Sequence, residues 1–371
     1  MKYIKRAAAL FTCLMMCSVN VLADTTDTLI EAWKTASAAA QGNTYTSAGF
    51  VSVNSVDAWK KAVATAAENL DDEIVIEING FNYTDYDLKH LYDYNYSVNG
   101  LGYARDGYAK ITYRFIYNSN YKLIRTVENR ALESKLTTEE KYVFDTVIKK
   151  AAELTKNATS DYEKELAIHD YIVGTYSYTQ LAEGESYTLR KHQIIGMVVD
   201  GNGVCEAYAE LFRLMGKSVG LEIYNAEGSM NGVDHMWNIV KLDGELYHVD
   251  CTADDPSPDV LGRLRHTYFN VNDSEISSDH IWENKGDMSC TATKYNYFVY
   301  NNYIVRNSEE LAEFISNQYD KGEKNISFKT VGYSINSSTA IRNVLAEKGC
   351  KSFGLVGDYG SEGVYTIIIN G

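Results

Sequence analysis

The chain has 371 residues, with 50 acidic against 35 basic side chains and a formal charge of −15. An acidic balance of this size excludes nucleic acid and anionic lipid surfaces as expected partners. After residue 22 no long apolar run occurs, so no integral membrane segment is expected once the N-terminus is processed.

The chain opens MKYIKRAAALFTCLMMCSVNVLADTTD. Lys2, Lys5 and Arg6 precede an apolar run to Leu22, and Ala23 offers a small residue before a cut, so residues 1–23 are expected to be a signal peptide. Neither Cys13 nor Cys17 follows the small-residue pattern of a lipoprotein cut, which favours a freely secreted, extracellular protein. Losing the three cations would take the formal charge to −18.

Residues 56–70 read as a helix and 73–78 as a strand closed by Asn79-Gly80. In 108–117, Ile111, Tyr113 and Phe115 alternate with Lys110, Thr112 and Arg114, the pattern of a half-buried strand. Residues 24–130 are thus expected to form a small α/β module. In the following stretch, Thr137…Glu140 and Ser160…Glu163 fit the capping box, and predict helices over 140–155 and 162–175. A polar loop at 181–187 leads to Gly201-Asn202-Gly203-Val204-Cys205. Behind Cys205, Ala207, Tyr208, Leu211, Phe212, Leu214 and Met215 recur at helical spacing, with Gly216 or Gly220 as the stop. A strand pair follows over 235–251, and a loop at 254–258. Helices first and sheet afterwards predict an α+β core. Residues 291–371 repeat the first layout weakly, with a helix over 307–315 and strands at 326–332 and 364–370.

Four cysteines remain after processing: Cys205, Cys251, Cys290 and Cys350. An even count in an exported chain invites disulfides, although the spacing is wide and irregular. Cys205 is placed differently from the others. It falls in the first turn of a helix, where unpaired amides and the dipole favour thiolate over thiol. The ordinary alternative is a buried structural cysteine.

A partner histidine decides between these readings. The run HMWNIVKLDGELYHVDC is two alternating segments joined at Asp243-Gly244, a strong hairpin signal. If Leu242 pairs with Glu245, His235 and Asp250 point to the same side one diagonal step apart, and Cys251 points to the other face. Asp250 can then orient the His235 imidazole, which can exchange a proton with Cys205. His248 shares that face and is the rival, although Ile239 opposite it suggests packing. His169 and His266 read as structural, and His90, His192 and His280 show no local pattern. No C-x-x-C or H-E-x-x-H occurs, and Asp250 and Cys251 diverge, so no metal and no cofactor is expected.

The segments Gly203-Val204-Cys205-Glu206-Ala207-Tyr208-Ala209, Asp234-His235-Met236-Trp237-Asn238-Ile239-Val240 and Tyr247-His248-Val249-Asp250 together resemble the transglutaminase-like superfamily. The runs TADDP and RHTYFNV are similar to its exported bacterial members, with Ala253 where a tryptophan is expected. The resemblance implies a papain/transglutaminase-like core over 131–290, flanked by the two modules. It also implies Cys205 as nucleophile, His235 as general base and acid, and Asp250 as the orienting acid. The expected enzyme acts on amide bonds through a Cys acyl-enzyme. It would be a peptidase or amidase on extracellular protein or cell-wall peptide. The alternatives are a transglutaminase with an amine acceptor and a non-catalytic binding protein on the same fold. The Cys205 backbone N–H is an expected oxyanion donor, with a second sought near Tyr176 or Tyr178.

Overall fold

The computed structural model describes residues 50–80, 96–105, 108–179, 189–255, 264–283, 288–357 and 363–370. Residues 1–23, the loop at 181–187 and Pro256–Pro258 lie outside the described residues. The chain divides into two compact units, Met1–Asn118 and Ser119–Gly371.

In the first unit, β1 (Val51–Val53), α1 (Val56–Glu68), β2 (Glu73–Asn79), β3 (Tyr96–Arg105) and β4 (Tyr108–Tyr117) build a four-stranded sheet of order β1-β2-β4-β3. Ser55 caps α1 by accepting from the Ala58 N–H, and Trp59, Val63, Ala66 and Ala67 form its buried stripe. The expected alternation in β4 is present: Ile111, Tyr113 and Phe115 are buried. The Trp59 indole N–H donates to Tyr113 Oη at 2.9 Å, which satisfies the one polar group the tryptophan carries inside.

The second unit starts with α2 (Ser119–Glu128), whose Leu123 and Ile124 join the same core as the helices that follow. That core therefore draws on residues upstream of 131. Next come a 3-10 turn (Arg130–Lys135), α3 (Thr138–Thr155), α4 (Asp161–Thr175), β5 (Ser177–Tyr178), a second 3-10 turn (Leu189–His192), α5 (Ile194–Asp200), β6 (Asn202–Gly203) and α6 (Cys205–Ser218). The capping box at Thr137 is complete. At the second site Ser160 accepts from the Glu163 N–H, but the Glu163 carboxylate takes the Thr159 N–H instead of that of Ser160.

The sheet of this unit comprises β7 (Glu222–Met230), β8 (Val233–Leu242), β9 (Glu245–Val249), β10 (Phe269–Val271) and β11 (His280–Trp282), with two short helices between them, α7 (Cys251–Asp254) and α8 (Asp273–Ile276). Its order is β10-β9-β8-β7-β11 and every pairing is antiparallel. The β8–β9 hairpin has the expected register, from Leu242↔Glu245 to Asn238↔Val249. Asp243 and Gly244 both take positive φ, 51° and 88°, as a two-residue turn matched to strand twist requires. Val240, Leu242, Tyr247, Val249 and Cys251 face the helices. Trp237, Ile239, Val271, Ile276 and Cys290 make a smaller core on the other face. Helices packed on an antiparallel sheet give the α+β class expected from the order of elements.

Buried in the helical layer, α6 has Ala207, Tyr208, Leu211, Phe212 and Leu214 fully enclosed. Each large apolar side chain among them contributes about 1.5–3 kcal/mol, which ties the residue at its N-terminus to a rigid element. The remaining elements are α9 (Tyr297–Tyr300), β12 (Ile304–Val305), α10 (Ser308–Asp320), β13 (Asn325–Thr330), α11 (Thr339–Glu347), β14 (Phe353–Val356) and β15 (Val364–Ile369). Their sheet order, β12-β13-β15-β14, matches that of the first unit. Each has one parallel edge pair followed by two antiparallel pairs. The weak sequence repeat therefore corresponds to a repeated topology.

Candidate active site

Cys205 is the first residue of α6, and Val204 before it provides no side-chain cap. Gly201 closes α5 in the left-handed region at φ 78°. Gly203 is a glycine for a different reason: a Cβ there would stand 2.8 Å from Ala207 Cβ. The approach to the cysteine is thus packed tightly, with β5 and β6 paired in parallel beside it. Cys205 stays partly exposed.

His235 lies near the start of β8 and its side chain is 9% exposed. Its Nε2 is 2.7 Å from Asp250 Oδ2. Burial acts to lower the His235 pKa, but hydrogen bonds to Asp250 and to Cys205, with their charges, outweigh it and hold the ring at about 10. With Nε2 committed to Asp250, Nδ1 is the nitrogen left for the sulfur. The structure thus brings the three expected site residues, Cys205, His235 and Asp250, together.

Asp250 differs from the expectation in one respect. It sits one residue past β9 and caps α7, its Oδ1 accepting from Thr252 N at 2.9 Å and Ala253 N at 3.0 Å. Burial would push its pKa up, yet the hydrogen bonds from His235 and His280 hold it well below the usual carboxylate range. The rival, His248, is fully enclosed on the same face but serves packing. Its Nδ1 accepts from the Trp237 indole at 3.0 Å and its Nε2 meets Asp273 at 2.9 Å. Burial lowers its pKa.

The acidic pair after Asp250 ties the site to the helices. Asp254, fully buried, accepts from the Tyr268 N–H at 3.1 Å and faces His169 Nε2 at 3.3 Å. Asp255 accepts the Tyr208 hydroxyl at 2.6 Å and the Tyr178 N–H at 3.1 Å, joining β5 to α6. That contact engages the Tyr178 backbone N–H, and Tyr176 Oη pairs with Tyr171 Oη at 3.4 Å. His169 and His266 both contact Asp170, at 3.0 and 2.8 Å, in a buried network.

His280 is the residue that sequence reasoning missed. It comes from the edge strand β11, and its Nε2 is 3.0 Å from the same Asp250 oxygen that His235 uses. Among the described residues, three clusters bring His, Asp or Cys donor atoms within 4.8 Å of one another: His169-Asp170-His266, His235-Asp250-His280 and His248-Asp273-Cys290. Hydrogen bonds account for the histidine–carboxylate spacing in each, and we assign no metal. All four described cysteines are free. Burial pushes the Cys251 thiol far up and that of Cys290 up to about 12, so both are poor nucleophiles.

Residues 148–251 match the family model of the Transglutaminase-like superfamily, and Cys205, His235 and Asp250 all fall within the match. This stretch is a transglutaminase-like domain. No curated protein matches the chain significantly. Similar solved structures include one described as a TGase, 13% identical over 63% of this chain and 59% of its own, with a TM-score of 0.31. A proposed cysteine protease from Cytophaga hutchinsonii is 12% identical over 51% of this chain and 75% of its own, with a TM-score of 0.26. A proposed protease from Parabacteroides distasonis is 13% identical over 81% of this chain and 66% of its own, with a TM-score of 0.27. The chain thus spans 59% of the length of the first of these and 66% of the third. No helix among the described residues is long and apolar enough to cross a membrane.

Proposed function

We propose that the chain is an exported thiol enzyme that cleaves amide bonds through an acyl-enzyme on Cys205, with His235 as base and acid and Asp250 as the orienting carboxylate. The observation that carries this reading is His235 held between Asp250, at 2.7 Å, and Cys205. In the first step Cys205, as the thiolate whose proton His235 holds, attacks the amide carbonyl carbon. The developing oxyanion is met by the Cys205 backbone N–H, which has no intrahelical acceptor at the first position of α6. His235 then passes its proton to the leaving nitrogen, the C–N bond breaks, and a thioester remains. Water next gives a proton to His235 and attacks the thioester. The carboxylic acid leaves, the sulfur departs as the thiolate, and His235 keeps the proton taken from water.

The same steps with a primary amine in place of water would make the enzyme a transglutaminase. Water is the acceptor by default, because an amine preference needs a site that excludes it. The substrate class is extracellular protein or cell-wall peptide, in keeping with the acidic charge and the signal-like residues 1–23. Casein incubated with a labelled primary amine tests the reaction, with Cys205→Ala as control. Fragments support the peptidase, and label incorporation the transglutaminase. Neither, with Cys205→Ala behaving as the parent, overturns the catalytic reading in favour of a binding protein.

A further inference from the structure

Asp250 is satisfied by more than the three site residues require. A carboxylate offers about four lone-pair sites. Thr252 N and Ala253 N occupy Oδ1, and His235 and His280 share Oδ2 at 2.7 and 3.0 Å. The other ring nitrogen of His280, Nδ1, lies 2.6 Å from Asp279 Oδ1. Asp279 Oδ2 in turn accepts the Tyr268 hydroxyl at 2.5 Å. A hydrogen-bonded line therefore leaves the site behind Asp250 and ends at Tyr268.

This line depends on how β11 joins the sheet. His280 pairs with Met230, and Trp282 with Gly228, the residue that sits opposite His235 in the β7–β8 pair. A Cβ on Gly228 would fall 2.0 Å from the Ile281 carbonyl oxygen, so only glycine admits β11 this closely. The imidazole of His280 is then enclosed, 1% exposed, with the rings of Trp237 at 4.9 Å, Tyr268 at 5.4 Å and His235 at 5.5 Å. The titratable groups facing it are Asp250, Asp279, His235, Tyr268 and, by charge alone, His248.

We propose that His280 is a positioning residue: by donating to Asp250 Oδ2 it fixes the carboxylate edge that faces His235 and so keeps the imidazole on Cys205. The inference rests on the thiol acyl-transfer reading above. Its physical basis is a proton count. Contacts from His280 to two carboxylate oxygens need two protons, and a neutral imidazole carries one N–H. Asp250 is held well below the usual carboxylate range and supplies no proton, so the proton between Nε2 and Oδ2 is carried by His280.

A residue that only filled space would change the melting temperature and leave the pH profile of Cys205 in place. The test is the rate of Cys205 alkylation by iodoacetamide in the full chain, read by peptide mass between pH 4.5 and 9 (both ends chosen for the assay). His280→Gln carries an amide where Nε2 sits and can still donate to Asp250. His280→Asn carries it near Nδ1, facing Asp279. Removing the donor leaves more negative potential around the His235–Cys205 pair and frees Oδ2 to turn, and both effects disfavour the thiolate. The acidic limb should stay in place in His280→Gln and move up by about one pH unit in His280→Asn, roughly a tenfold slower rate at pH 6. Asp279→Asn, which leaves His280 in place and removes a negative charge, should move the limb the opposite way, and it decides the matter if His280→Asn does not fold. An unmoved limb in the folded variants, or equal movement in His280→Gln and His280→Asn, overturns the inference. If the parent alkylates Cys205 no faster than Cys350, the acyl-transfer reading fails first and takes this inference with it.

Discussion

Replacing Asp250 with asparagine is the most revealing change, because all four of its contacts come from donors. Asparagine has one oxygen to accept and one NH2 that donates. Turning its oxygen toward His235 and His280 sets the NH2 against the Thr252 and Ala253 amides. The opposite turn sets it against the two rings. Two hydrogen bonds to a charged group are lost in either case, at about 1.5–3 kcal/mol each. The charge goes as well. His235 is held at about 10, mainly by Asp250 and also by Cys205, against the burial that would lower it. The distance from an ordinary histidine value near 6.5 corresponds to about 5 kcal/mol, net of burial, in favour of the charged ring. Because the folded value lies above the unfolded one, this stabilisation is complete below about pH 6.5 and fades as pH rises to about 10. In Asp250→Asn, which frees the His235 ring to turn away from the sulfur, Cys205 alkylation at pH 7 should slow, casein cleavage should fall in parallel, and the melting temperature should drop by about 10 °C. The assays are iodoacetamide labelling with peptide mapping and calorimetry. A variant that keeps the parent's rate and melting temperature would refute the role assigned to Asp250.

Three further outcomes follow from buried groups around the site. His248→Gln should keep casein cleavage within about threefold of the parent but melt lower, since the Trp237 indole loses its acceptor at Nδ1, at about 1–3 kcal/mol; a large activity loss at parental stability would reinstate His248 as the base. Burial of Glu165 pushes its pKa up to about 8, so its penalty is absent below about pH 4.5 and grows as pH rises toward 8. Glu165→Gln should therefore gain stability over the parent as pH is raised from 5 to about 8, and parallel melting curves would contradict this. Tyr208→Phe removes the 2.6 Å bond to Asp255 and should cost about 1.5–3 kcal/mol in denaturant unfolding, with an unchanged midpoint as the opposing result.

Much of the site was legible because one turn sets one register. Asp243-Gly244 admits a two-residue loop, and residue numbers alone then bring His235 and Asp250 to the same side. The helix after Cys205 was legible from its apolar spacing. His280 was not, since it reaches Asp250 from a three-residue edge strand thirty residues downstream, too short for a periodic signal. The cap formed by Asp250 was hidden for a similar reason: α7 has four residues and no pattern of its own. The even cysteine count suggested disulfides, but Cys251 and Cys290 belong to cores on opposite faces of one sheet and Cys350 packs on a third. Only tertiary placement could show that these thiols do not meet.

The most direct measurement is competitive labelling of the protein with limiting iodoacetamide at pH 6, mapped by peptide mass. Cys251 and Cys290 are buried and slow in any event, so the comparison that matters is Cys205 against Cys350, both partly exposed and both free. The account predicts that Cys205 is modified at least about tenfold faster than Cys350 and that His235→Ala abolishes the difference. Equal labelling of the two, or Cys205 recovered in a disulfide, would contradict it.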